Sequence, residues 1–163
     1  LIVIALLGAI AVGMLASIDP WEQIKKGNDT STRNTVSEIY NAMIRYYAIK
    51  VNFPWTVLAG SEISFTAADG NSTEAQAAIT EAINAGELKT DFIQLAGTDR
   101  LSRIFLTSSD KDHLTVCFQP TSKSFQKDPA TKWVSSDGVS DDSAGDFCKS
   151  GTTGTADCWW CVK

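Results

Sequence analysis

The chain has 163 residues, which is enough for one globular domain plus one long element and too few for two independent cores. Its formal net charge is −5, and its lysines and arginines form no basic stripe with interleaved aromatic residues. Nucleic-acid binding depends on clustered positive charge, so a nucleic-acid partner is not expected for the bulk surface. Hydrophobic residues make up 44% of the chain, but this average hides a sharp division between residues 1–18 and the rest.

Residues 1–18 form an apolar segment that reads LIVIALLGAIAVGMLASI, in which Ser17 is the only polar side chain. As a helix the segment would be about 27 Å long, close to the roughly 30 Å hydrocarbon core of a bilayer. A helix from a soluble core would show a polar face, whereas this one is apolar all round. A cleaved signal peptide fits poorly, because no basic segment precedes the apolar run and helical sequence follows it directly. A simple membrane anchor stays open as an alternative.

The stretch from Gly8 to Pro20 is predicted to lose helical geometry easily. Gly8 and Gly13 weaken a helix interior, and Asp19 is disfavoured in helical conformation because a proline follows it. A permanent anchor has no evident use for such weak points.

From Trp21 onward the pattern predicts an amphipathic helix. Glu22 is placed to pair with Lys25 and Lys26 on the helix surface. The apolar positions recur at helical spacing, namely Val36, Ile39, Tyr40, Met43, Ile44, Tyr46 and Tyr47. Asn52-Phe53-Pro54 is predicted to end the element. A continuous helix over residues 1–49 would be roughly 70 Å long, so half of it would project from a head of this size.

The sequence after Pro54 predicts a mixed head in which a small helix precedes a sheet. Asn71 or Ser72 can cap a helix over residues 73–85, which Gly86 would end. A short helical turn is predicted at residues 92–96. Strand-like runs lie at 103–107, 113–119, 124–126, 132–134 and 159–162, and residues 61–65 form a strand or part of a loop. This order predicts an α+β fold with an antiparallel sheet.

Four cysteines, Cys117, Cys148, Cys158 and Cys161, lie in the last third of the chain. An even number within Gly-rich polar sequence favours disulfides in an oxidising compartment outside the cytoplasm. Redox catalysis at the C-x-x-C is not expected, because the chain ends two residues after it, and zinc signatures need two close ligand pairs. Four cysteines allow three pairings, which sequence alone does not decide. We favour Cys117 with Cys161, joining two strands, and Cys148 with Cys158, closing a small loop.

The remaining candidate sites are weak. Acidic residues in a Gly/Ser-rich loop form a possible calcium site whose spacing does not match an EF-hand, and a solvated loop is the commoner use: Asp137, Asp141, Asp142 and Asp146. Asn28 and Asn71 begin triplets that match the N-glycosylation pattern. His113 has no nucleophile motif beside it, so we expect no catalytic triad, no enzyme activity and no cofactor. The tryptophans are expected mainly in core packing, with an interface as the alternative: Trp55, Trp133, Trp159 and Trp160.

The first third of the chain resembles the type IV pilins and the related pseudopilins of secretion systems. The resemblance is carried by LIVIALLGAIA at residues 1–11, the apolar continuation to Ile18, the junction at residues 19–23, the helix ending at residues 44–48 and the Phe53-Pro54 exit. Mature pilins usually open with a phenylalanine-led segment containing a glutamate, and Leu1 resembles a position several residues inside that opening. We therefore expect the sequence to start late, so that the residue which the family methylates cannot be located in it.

The resemblance implies a structural role, that of a major pilin whose identical copies build an extracellular filament for adhesion, motility or DNA uptake. Residues 1–20 would serve as membrane anchor and filament core, residues 21–52 as the second half of the helix, and residues 53–163 as the head. The residues expected in the filament core are Leu1, Ile4, Leu7, Ile10, Met14, Leu15 and Ile18. The helix would melt during assembly around Gly8, Gly13 and Pro20.

The implied partners are other copies of the chain, the membrane before assembly and the pilus assembly machinery. The implied location is the inner or cytoplasmic membrane first and the cell-surface filament afterwards. In the head, the sheet is expected to pack on the side of the long helix that carries Tyr40, Met43 and Tyr47. Two alternatives stay open: a pseudopilin of a type II-like secretion system, which in some cases binds calcium, and a monomeric membrane-anchored binding domain.

Overall fold

The computed structural model describes residues 2–16, 19–55, 65–70, 72–110, 113–133, 136 and 158–163. Two helices open the chain, α1 over Ile2–Ala16 and α2 over Pro20–Lys50. The helical region is therefore not the single rod considered above. The backbone of Asp19 is extended, with φ −83° and ψ 96°, and its side chain accepts a hydrogen bond from the Glu22 amide at 3.3 Å. Asp19 caps α2, because a residue before proline is poorly accommodated inside a helix.

Helix α2 ends at Lys50, slightly before the Asn52-Phe53-Pro54 segment that the sequence suggested. Val51 takes the left-handed conformation with φ 62°, and its amide donates to the Tyr47 carbonyl at 2.7 Å. A left-handed residue after the last turn is a common helix end, although a β-branched residue is unusual there.

In the described residues the head combines short helices with five strands, which confirms the predicted α+β class. Ser72 caps the first of its helices by accepting from the Ala75 amide at 3.2 Å, as its position predicted. The elements in chain order are β1 (Phe65–Asp69), α3 (Thr73–Asn84), α4 (Phe92–Ala96), α5 (Thr98–Leu101), β2 (Ile104–Asp110), β3 (His113–Phe118), α6 (Lys123–Gln126), β4 (Thr131–Trp133) and β5 (Trp159–Val162).

The strands form one antiparallel sheet in the order β1-β2-β3-β5-β4. Strand β5, the last in the sequence, lies between β3 and β4. Its register places Cys161 opposite Cys117 and Trp160 opposite Phe118. The sheet therefore depends on residues 159–162 to join β4 to the other strands.

The core lies between the sheet, α2 and α3. Met43, which was expected to face the sheet, is fully buried, and Tyr40 and Tyr47 are partly buried against the same core. The fully buried side chains include Val36, Ile39, Met43, Ile79, Leu101, Ile104, Leu106, Val116 and Phe118. These side chains fix one face of α2 to the head, because exposing so much apolar surface again would be strongly unfavourable.

The strand predicted at residues 124–126 is wrong, because Lys123–Gln126 forms the short helix α6. Its cap is Ser122, whose hydroxyl accepts from the Phe125 amide at 3.3 Å. Serine at this position favours a helix start, and this local hydrogen bond outweighed the β-prone composition of a run only three residues long.

Candidate functional site

Helix α1 exposes every side chain that the structure describes in it, residues 2–13. Three of the predicted filament-core residues, Ile4, Leu7 and Ile10, belong to this surface, whereas Leu1 and Ile18 and the side chains of Met14 and Leu15 lie outside what is described. The exposed large hydrophobic residues are Ile2, Val3, Ile4, Leu6, Leu7, Ile10 and Val12, at 55–78% exposure. A single copy of the chain therefore leaves this apolar surface uncovered.

The two glycines of α1 make no close contact within the single chain. A Cβ atom at Gly8 or Gly13 would meet nothing within 4 Å. The helix continues through both positions, and Pro20 stands at the start of α2. The predicted loss of helix from Gly8 to Pro20 during assembly therefore stays a prediction, but crowding within one copy does not explain these glycines.

A buried carboxylate on α2 holds the connection between β3 and α6. Asp29 is fully buried and accepts hydrogen bonds from the Thr121 amide at 2.8 Å, the Thr121 hydroxyl at 3.0 Å and the Ser122 amide at 2.7 Å. It also forms an ion pair with the Arg103 guanidinium at 3.2 Å. These partners replace the water that the charge would otherwise lose on burial. Asp29 thus ties the third turn of α2 to the segment between β3 and α6.

Glu22 extends the same attachment toward the start of α2. Its carboxylate accepts a hydrogen bond from the Lys123 amide, so the bond described for it leads to the head and not to the neighbouring lysines that the spacing suggested. Together Asp29 and Glu22 accept three consecutive backbone amides, those of Thr121, Ser122 and Lys123. Two acidic side chains of one helix therefore fix the position of α2 relative to α6.

Neither of these roles was predicted from the sequence. Asn28-Asp29-Thr30 was noticed only as a glycosylation triplet, and Glu22 only as a partner for Lys25 and Lys26. One available signal was periodicity, because Asp29 precedes the buried Val36 by seven residues and so falls on the same helix face.

The other end of α2 is attached to α3 and the turn after it. Arg45 donates from Nε to the Glu87 carboxylate and from Nη2 to the Glu87 carbonyl, both at 2.7 Å. The Tyr46 hydroxyl lies 3.4 Å from Glu81. Burial raises the pKa of Tyr46, and the negative charge and hydrogen bonding of Glu81 raise this pKa further.

The structure contains the favoured Cys117–Cys161 disulfide, which joins β3 to β5. Cys158 is also disulfide-bonded. Its predicted partner, Cys148, lies outside the described residues. No free cysteine occurs in the described part of the chain.

The tryptophans divide between the core and the outer part of the sheet. Trp55 is buried and stacks on Phe53 with ring centroids 4.6 Å apart, and Trp160 is buried beneath the Arg33 guanidinium at 5.2 Å. Trp133 and Trp159 are partly exposed. Core packing, which was the expected main role of the tryptophans, therefore accounts for two of these four residues.

The calcium candidates Asp137, Asp141, Asp142 and Asp146 lie outside the described residues. Among the residues that are described, no group of three or more histidine, cysteine, aspartate or glutamate side chains could hold a metal ion. Asn71 is likewise outside the described ranges, and Asn28 lies exposed on α2. Within those ranges, no helix is both long enough and apolar enough to cross a lipid bilayer.

Comparison of the chain with protein-family models, with curated proteins and with solved structures finds no match in any of the three. The features available for a functional interpretation are therefore those of the chain itself: an uncovered apolar helix, an extended joint at Asp19 and a head held firmly on α2.

Proposed function

We propose that this chain is the structural subunit of a helical surface filament of the type IV pilin kind. The observation that carries the proposal is α1, whose described side chains are all apolar or glycine and all exposed. Burying its seven large hydrophobic side chains would contribute on the order of 10–20 kcal/mol per copy before the costs of association are subtracted. An exposed surface of this size needs a permanent cover.

Identical copies provide that cover through their own α1 helices. An apolar helix has no polar face to turn toward water, so it is stable only when apolar neighbours surround it. A contact in which different surfaces of two copies meet repeats from copy to copy, and it builds a helical filament when the rotation between copies does not close a ring. A core of α1 helices with the heads outside satisfies both requirements.

The head supports the same interpretation. An α+β head in which a small antiparallel sheet lies against the second long helix is the arrangement that the resemblance to pilins implied. The finer assignment, a pilin fold, is part of the proposal, as are the membrane before assembly, the assembly machinery and the cell-surface location. The chain acts in this proposal as a building unit and not as an enzyme.

Electron microscopy of material sheared from producing cells tests the proposal. We expect long fibres that antibodies against the head decorate along their whole length. A monomer that is extracted only with detergent would instead indicate a membrane-anchored binding domain, and rods confined beneath the outer surface would indicate a pseudopilin.

One variant checks that α1 drives assembly. Leu7→Glu places a charge on the apolar helix, and we expect it to abolish fibres, because a carboxylate without a partner is costly to bury. Leu7→Met changes shape but not polarity and should still assemble. Circular dichroism should show the same folded head in both variants, since Leu7 is exposed in the single chain. Fibres of normal yield from Leu7→Glu would contradict the proposal.

A further inference from the structure

Two lysine side chains meet on one tryptophan ring at the β4 edge of the sheet. The ammonium group of Lys163 lies 4.1 Å from the centre of the Trp133 ring, and that of Lys132 lies 5.2 Å from it. Both lysines are exposed. The ring attracts each cation while the two cations repel each other, so the arrangement concentrates positive charge at one place. We call Trp133 with its two lysines the cationic edge.

The acidic side chains that the structure describes leave this pair of cations without a partner. Within the described part of the chain, neither Lys132 nor Lys163 forms an ion pair. Asp128 is the only acidic residue between positions 119 and 133, and its carboxylate accepts the Ala130 amide at 2.8 Å. The whole chain carries a net charge of −5, so the cationic edge stands out as a place suited to an anionic partner.

Partly exposed aromatic rings continue from the cationic edge across the outer face of the sheet. Trp133 and Trp159 lie opposite one another on β4 and β5, so their side chains share a face. Trp159 contacts the ring of Phe105 on β2, with centroids 5.1 Å apart and planes at 89°. Phe105 alternates along β2 with Ile104 and Leu106, which are buried in the core. The aromatic face is therefore the one turned away from α2.

We propose that this face binds an acidic polysaccharide, a chain of sugar rings that carry carboxylate or sulfate groups. The two ammonium groups of the cationic edge supply charge and hydrogen-bond donors to the acidic groups. Trp159 and Phe105 supply an apolar surface against which the C–H face of a sugar ring can pack. This inference goes beyond the proposed function, because it needs one folded head and not a fibre. A fibre would present the same face on every copy and so strengthen binding to a long polymer.

A nucleic acid is the competing polyanion, and the arrangement of the rings disfavours it. Single strands are held by aromatic faces on which bases stack, next to a basic groove that follows the backbone. Here the Lys163 ammonium already lies over the Trp133 ring, and Trp159 and Phe105 meet edge to face. The lysines and arginines of the chain also form no extended basic stripe. Two discrete cations beside an apolar surface suit a polysaccharide better.

Binding of the full chain to immobilised heparin, a sulfated polysaccharide, tests the inference. We expect Lys132→Gln combined with Lys163→Gln to lower the affinity about tenfold or more at low salt, because both contacts to acidic groups are lost. The matched control is Lys50→Gln combined with Lys89→Gln, which removes the same charge from exposed lysines at the end of α2 and in the loop between α3 and α4. Equal losses in the two double variants would overturn the inference, since net charge alone would then explain binding.

A change of the ring at constant charge gives an independent measurement. Trp133→Leu keeps both lysines but removes the ring that holds their ammonium groups, and it should weaken heparin binding, whereas Trp133→Phe keeps a ring and should preserve most of it. The melting temperature of each variant checks that the head stays folded. Wild-type affinity in a folded Trp133→Leu variant would overturn the role given to the ring and the inference with it.

Other polymers and the fibres themselves separate the remaining outcomes. Single-stranded DNA should bind about tenfold more weakly than heparin, and uncharged dextran should not bind. DNA that binds as tightly as heparin would overturn the assignment to a polysaccharide. Absence of heparin binding by the wild type would overturn the inference while fibres still form. Heparin binding by a chain that never forms fibres would instead support the inference and overturn the proposed function alone.

Discussion

Asp29 shows how a single charged side chain can determine where a long helix lies on its head. The carboxylate has no contact with water and is satisfied by two amides, one hydroxyl and Arg103. Apolar packing along α2 is compatible with more than one placement, because similar side chains recur each turn. Hydrogen bonds to particular amides are compatible with only one placement of the helix. Asp29 therefore supplies the specificity that the apolar stripe lacks.

Replacing Asp29 by alanine should therefore be strongly destabilising. Asp29→Ala leaves the Thr121 and Ser122 amides and the Arg103 guanidinium without their buried acceptor, and we expect a loss of about 3–5 kcal/mol in the free energy of unfolding. Urea denaturation measures it. The control is Asp91→Ala, since Asp91 is exposed and its side chain makes no cap hydrogen bond. Equal stability of the two variants would contradict the role given to Asp29.

Tyr46 should make the stability of the head fall in alkaline solution. Its pKa is higher in the folded chain than tyrosine's ordinary value of about 10, because burial and Glu81 disfavour the ionised form. The unfolded chain then loses its proton first, so this contribution is complete below pH 10 and disappears as the pH rises through the folded pKa. The melting temperature of the wild type should therefore fall relative to that of Tyr46→Phe as the pH rises above about 10. A constant difference would contradict this assignment.

At the residue scale, the sequence could show which face of α2 is buried but not what its acidic residues bind. Val36, Ile39 and Met43 indicate the face by their spacing. Asp29 and Glu22 find their partners 74 to 101 residues later in the chain, from Arg103 to Lys123. Such distant pairs depend on the completed fold, which a local pattern does not contain.

At the scale of elements, α1 combines a uniform apolar surface with two internal glycines. Glycine costs a helix roughly 1 kcal/mol relative to alanine. The glycines at positions 8 and 13 have open space around them in a single copy, so alanine would fit there without collision. Any effect of such a change on fibres then reports what α1 does among other copies.

Gly8→Ala combined with Gly13→Ala should stabilise the helical conformation of α1 by about 2 kcal/mol in total. If the helix lengthens or melts during assembly, fibres of this variant should show an altered axial rise or a reduced yield, measured by cryo-electron microscopy. Gly27→Ala is the matched control, because Gly27 also lies in a helix, where an added Cβ would meet nothing within 4 Å, but belongs to α2. Unchanged fibres from the double variant would count against helix melting.

The elements that the sequence predicted well are those with local signals. Helix α3 has a serine cap and an apolar side, and β5 has a run of bulky residues, so both were located within a residue or two. Helix α6 was assigned to a strand, because four residues give no usable period. The break at Asp19 was signalled by Pro20, yet a helix kinked at proline and two separate helices give the same local pattern.

At the scale of the whole molecule, the Cys117–Cys161 disulfide joins strands β3 and β5, which lie far apart in the chain. The two cysteines are separated by 44 residues in the sequence. Cys117→Ser with Cys161→Ser should lower the free energy of unfolding by about 2–4 kcal/mol, because the unfolded chain is then less restricted. Guanidinium denaturation of both proteins without reductant measures this loss. In the presence of reductant the two curves should coincide, and a difference that persists would show that the serine hydroxyls, not the missing bridge, cause the loss.

The order of the strands was beyond what the sequence could show. Strand β5 follows β4 along the chain but lies between β3 and β4, and neither hydrophobic spacing nor turn composition specifies such an insertion. The Cys117 and Cys161 pair was the one sequence feature that linked β5 to β3, and three possible pairings made it only suggestive.

The place of β5 in the sheet has a consequence for synthesis. A ribosome produces α1 well before residues 159–162, and until those residues emerge β4 has no neighbour through which to join the sheet. The most apolar segment of each nascent chain, α1, is therefore present for the whole time that the head is still incomplete. In the proposed filament, α1 would have to stay shielded during translation, before another copy could cover it.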